Sequence, residues 1–117
     1  MIAVLPFAFF MTANSPEMNA LHARYARSFA SKHAALLEAW QSFSATHDEP
    51  SARKLHDLVH RLAGSAPSYG YETLGLRARE ADHALTVGGS DLAERLVTPI
   101  EALLADLSRQ ALRAEGH

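Results

Sequence analysis

From Pro16 onward apolar residues recur at helical spacing, and no stretch shows the period-two alternation of a half-buried strand. Leu21, Tyr25 and Phe29 share one face, and so do Leu36, Trp40 and Phe43. Lys32 falls in the middle of that stripe, which predicts a break, with Ser31 as a cap between a short helix over about 17–29 and a longer one over about 31–45. His47 to Pro50 reads as a turn with cap residues, Pro50 being acceptable in the first turn of the next helix.

The third helix is expected over about 51–69, with a core stripe of Leu55, Leu58, Val59, Leu62 and Ala66 and an end marked by Gly70. Leu74, Ala78, Ala81 and Leu85 repeat the pattern over about 71–87, until Gly88 and Gly89 interrupt it. Ser90 is the expected N-cap of the last helix, whose face carries Leu92, Leu96, Leu103 and Leu107. Within it Thr98, Pro99 and Glu101 spell a capping box, so a kink or restart is expected there.

Four main amphipathic helices on short connections imply an all-α fold, an up-and-down antiparallel four-helix bundle with a short additional N-terminal helix. Trp40, Phe43, Tyr25 and Phe29 are at core spacing, and Tyr69 and Tyr71 are placed to close the bundle end near Gly70.

Composition narrows the classes. A chain of 117 residues, 48% apolar and 21% charged, suits one folded domain with a single core. A net charge of -2 gives no positive field for a phosphate backbone, so nucleic acid is not an expected partner. The absence of cysteine removes disulfides, thiol chemistry and Cys-built zinc sites, and the expected setting is cytoplasmic. Residues 1–16 are read as an apolar extension before a bundle domain over 17–117. Its run from Met1 to Met11 is too short to span a membrane, and a secretory leader would need a basic start, whereas the first Lys or Arg is Arg24. Padding of the bundle end, a cloning extension, or residues before a start at Met11 or Met18 are the simpler readings of the run.

Of the 7 histidines, His60 occupies a position that packing does not explain. With Leu55 at zero on a helical wheel, the core stripe stays within about 60° of its centre while His60 lies near ~140°. Arg53, Asp57 and Gly64 share its outer strip, and a mid-helix glycine costs ~1 kcal/mol relative to alanine. A neutral imidazole facing solvent is a nucleophile, and a bare backbone one turn on leaves room for something to approach it. The sequence offers no glycine-rich nucleotide loop and no arguable Ser-His-Asp set, which suits a carrier rather than a self-sufficient enzyme. His56, one turn before His60, opens a second reading: a metal pair, needing Asp57 or His83 as a third ligand.

The string His60-Arg61-Leu62-Ala63-Gly64-Ser65-Ala66, followed by Gly70, resembles the signature of histidine-containing phosphotransfer (HPt) domains, usually His-x-Leu-Lys-Gly-Ser-Ser/Ala with a later Gly. Tyr69-Gly70-Tyr71 and Leu74 to Leu85 are similar to that family's Phe-Gly-Phe and Leu-x-x-Leu-Ala-Arg-x-x-Glu patterns, with Asp82 at the usual Glu place. The resemblance implies a phosphorelay intermediate without ATP-dependent kinase chemistry. His60 would accept a phosphoryl group at Nε2 from a receiver aspartate or a hybrid sensor kinase and pass it to another receiver. It implies no cofactor on this chain, Mg2+ in the partner receiver, a monomer, and a docking surface of Gly64, Ser65, Arg61, Arg53, Asp57 and His56. One departure is Ala63, where the family commonly has lysine; Arg53, Arg61 or Arg79 is expected to supply that charge. The alternative is a helical bundle that binds receivers or other signalling domains without carrying phosphate.

Overall fold

The computed structural model describes residues 16–116, so the expected extension lies, Pro16 apart, outside the described residues. All regular structure among the described residues is helical: α1 (Pro16–Arg27), α2 (Phe29–Thr46), α3 (Glu49–Ser68), α4 (Glu72–Val87) and α5 (Leu92–Glu115). Helices α2 to α5 pack together in a ring, α2 on α3, α3 on α4, α4 on α5 and α5 back on α2. No helix among the described residues is long and apolar enough to cross a membrane.

The apolar stripes explain the ring. Leu55, Val59, Leu62 and Ala66 of α3 are buried, as are Leu74, Ala78, Ala81 and Leu85 of α4 and Leu96, Ile100, Leu103 and Leu107 of α5. With Phe29, Leu36, Ala39 and Phe43 of α2 they form one cluster, whose removal from water is the main favourable term holding the helices together. Trp40 and Leu58, expected in that core, are only half-buried at its edge.

The boundary between the first two helices differs from the expectation. The N-cap is Ser28, not Ser31, and Phe29 opens the second helix rather than ending the first. Ser28 turns its hydroxyl back onto the Tyr25 carbonyl at 2.6 Å, and its own carbonyl accepts the Lys32 amide at 2.9 Å, so the turn closes before Ser31. Lys32 is tolerated in the apolar stripe because its ammonium donates to Ser28 Oγ at 2.6 Å and lies 4.6 Å over the Tyr25 ring. Burial lowers its pKa below the ordinary lysine value.

Asp48 caps α3, accepting the Ser51 amide at 2.9 Å, with Pro50 in the first turn as expected. At the other end Gly70, at φ 90°, takes the left-handed conformation that returns the chain, while the Tyr71 amide bonds the Ala66 carbonyl at 2.9 Å. The N-cap of α5 is Asp91 rather than Ser90; its carboxylate accepts from Arg95 instead of a backbone amide. Pro99 lies inside a single helix of 24 residues, so the capping-box sequence around it does not start a new element. The missing Pro99 amide is accommodated where α5 is held by fully buried Leu96, Ile100 and Leu103 on either side.

Around the Gly70 turn, Tyr25 stacks on Tyr69 with centroids 4.2 Å apart, and Phe29 meets Tyr71 edge-on at 4.9 Å. These rings close one end of the bundle, as expected for Tyr69 and Tyr71. They also tie α1 to α3, with Tyr25 Oη 2.7 Å from Ser65 Oγ.

Candidate functional site

The phase of α3 decides what its outer face shows. Because Leu55, Val59 and Leu62 turn inward, His60 turns out, and its side chain is 73% exposed. Gly64, one turn on, is exposed too, and a Cβ built on it meets no atom within 4 Å. Its backbone is ordinary helix, so neither conformation nor packing within the chain requires glycine at 64.

His60 is not free on the side of Nδ1. From α4, Asp82 brings Oδ2 to 3.2 Å from that nitrogen, while Oδ1 lies 2.6 Å from His56 Nε2. One carboxylate, 20% exposed, thus bridges two imidazoles whose centroids are 6.4 Å apart. Burial opposes ionisation of Asp82, but hydrogen bonds from His60 and His56, backed by their charge, outweigh it and hold the carboxyl below its ordinary pKa. An ionised carboxylate only accepts, so the hydrogen on His60 belongs on Nδ1, and in the neutral ring the lone pair is on Nε2. The site therefore presents one oriented nucleophilic nitrogen on a rigid helix.

Asp82 is the residue that sequence reasoning missed as a partner of His60 and His56. Its position just beyond the buried Ala81 on the α4 stripe is the signal that it borders the neighbouring helix, but which residues it meets depends on the register of α4 against α3.

The other candidates divide. Arg53 is exposed and 3.5 Å from Glu49, and Asp57 is exposed with no hydrogen bond or ion pair among the described residues. Ser65 is half-buried and engaged with Tyr25. Arg61 lies with Lys32, Leu58 and Tyr69 along an open groove of about 480 Å³ between α3, α2 and α1. Arg79 is exposed beside Leu76, Glu80 and His83 in a shallow cleft on α4. Among the described residues no lysine or arginine is hydrogen-bonded or ion-paired to His60 or Asp82, and Ala63 packs half-buried against the core. The metal pairing considered for His56 and His60 is not assembled with Asp57 or His83: both imidazoles turn to Asp82, and no group among the described residues has the makings of a metal site.

No protein-family model matches the chain, and neither a curated protein nor a solved structure does.

Proposed function

We propose that this chain is a histidine phosphotransfer protein of the HPt type, an up-and-down antiparallel four-helix bundle with Pro16–Arg27 as a short additional N-terminal helix, acting in the cytoplasm as a monomer. The observation that carries the reading is His60: exposed, hydrogen-bonded through Nδ1 to Asp82, and followed one turn later by a glycine that nothing inside the chain requires. A surface histidine with no task needs neither an oriented ring nor a bare backbone beside it.

In the proposed step His60 Nε2 attacks the phosphorus of a receiver's aspartyl phosphate in line with the leaving oxygen. The N–P bond forms as the P–O bond breaks, and the receiver's aspartate departs as a carboxylate. Transfer onward is the reverse on a second receiver. Such a reaction needs chiefly positioning and charge neutralisation. This chain supplies the positioned nitrogen, and Asp82 stabilises the positive charge that the ring acquires as Nε2 becomes substituted. The partner receiver supplies Mg2+ and a basic side chain, since the Ala63 position provides none and none of Arg53, Arg61 and Arg79 is hydrogen-bonded or ion-paired to His60 or Asp82 among the described residues. A hybrid sensor kinase fits the donor role equally, because the only requirement is an acyl phosphate on a docking domain.

Incubation with a phosphorylated receiver and Mg2+ tests the reading: acid-labile label should appear on the wild type and not on His60→Gln. Equal labelling of both, or stable receiver binding with no label on either, overturns it, and the second result would indicate a binding module that carries no phosphate.

A further inference from the structure

The shorter of the two bonds to Asp82 is made not by the exposed His60 but by His56. We propose that His56 is a positioning residue for His60, acting through Asp82. Its consequence for transfer rests on the phosphoacceptor reading above, while its effect on the imidazole ring stands on geometry alone.

The hydrogen inventory assigns the donor. Thr86 gives its hydroxyl hydrogen to the Asp82 carbonyl at 2.9 Å, which leaves its oxygen as an acceptor 3.4 Å from His56 Nε2. The ionised Asp82 carboxylate, 2.6 Å away, is also only an acceptor. His56 Nε2 thus faces two acceptors and carries the hydrogen, whether its ring is neutral or cationic. His56 is the better anchored imidazole as well, with its side chain 34% exposed against 73% for His60.

An aspartate has two rotatable torsions, and one held only by a mobile surface imidazole would turn toward water. Pinning Oδ1 from the half-buried His56 removes that freedom, and the fixed geometry of the carboxylate then directs Oδ2 at His60 Nδ1. The chain Thr86, His56, Asp82, His60 links the side of α4 to the outer face of α3 and ends at the nucleophile's tautomer. Networks of this kind hold each member more firmly than separate pairs do.

Ring 15N NMR on the whole chain reads the effect, recorded on the alkaline side of the imidazole titration that the same spectra follow. In the wild type His60 should be mainly the Nδ1–H tautomer. His56→Ala should lower the ratio of Nδ1–H to Nε2–H at His60 by about threefold or more, since a charge-assisted bond loses its support. His56→Gln, whose amide can donate from nearly the same place without titrating, should restore it. Phosphoryl transfer to His60 should slow in His56→Ala and recover in His56→Gln, in step with the tautomer ratio. An unaltered tautomer ratio in His56→Ala, or no recovery in His56→Gln, overturns the proposal. If the ratios change as expected but His60 takes no phosphoryl group even in the wild type, the positioning role is upheld and the phosphoacceptor reading fails.

Discussion

Gly64→Ala should stabilise the protein while impairing it. The added methyl meets nothing within 4 Å, the position is exposed, and the backbone is already helical, so no strain offsets the gain in helix propensity. That gain is ~0.5–1 kcal/mol. For a domain of this size ~1 kcal/mol moves Tm by about 4–8 °C, so thermal unfolding followed by circular dichroism should show a rise of about 2–8 °C. The same methyl stands one turn from His60, on the face that a receiver would approach in the proposed transfer. An extra methyl forced into a close-packed contact costs ~1–3 kcal/mol, which at 1.36 kcal/mol per tenfold is roughly a 5- to 150-fold loss of transfer rate. Tm and rate should therefore move in opposite senses. A lower Tm would show that Gly64 serves the fold, and a raised Tm with wild-type transfer would show that nothing docks over it; either refutes the argument.

A glycine in the first turn of α4 behaves oppositely: a Cβ on buried Gly75 would come within 2.5 Å of Pro67 Cγ and 2.8 Å of its Cδ. Gly75→Ala should destabilise by about 1–3 kcal/mol in urea unfolding, because the stiff Pro67 ring can yield only if α3 and α4 shift apart. Asp82→Asn should slow transfer and change the pH dependence of stability. The carboxyl is depressed in the folded chain, so its contribution is complete above the unfolded value near ~3.9 and is lost as pH falls through the lower folded value. The variant should accordingly be less stable than wild type at neutral pH, and the difference should shrink toward ~pH 3 in acid titrations of Tm. Asp48→Ala should lower Tm by leaving the Ser51 amide without its cap.

The fold was legible where one helix face explained itself. The α3 and α4 stripes gave Leu55, Val59, Leu62, Ala66, Leu74, Ala78, Ala81 and Leu85, which are buried, and Leu58, which is half-buried at the edge, because a 3.6-residue period depends only on the residues of one helix. The exposure of His60 and Gly64 followed from the same phase. Contacts between helices were not legible. The Asp82 bridge, the Pro67–Gly75 contact and the Tyr25–Ser65 link each depend on the register of one helix against another, which no periodicity contains. Caps were misplaced where two suitable residues stood near one another. Ser28 and Ser31 compete, and Ser28 prevails because Phe29 must face the core and Lys32 needs a local partner. Ser90 yields to Asp91 in the same way, through the Arg95 side chain. Pro99 signalled a restart that buried packing along α5 overrode.

The central claim is that His60 Nε2 carries the phosphoryl group. Its most direct test is 31P and 15N NMR of the labelled chain after incubation with a phosphorylated receiver. The account predicts a phosphoimidazole resonance with phosphorus coupled to Nε2 of His60, absent in His60→Gln and retained in His83→Gln. A phosphohistidine that survives His60→Gln, or phosphorus on Nδ1 of His60, would contradict it.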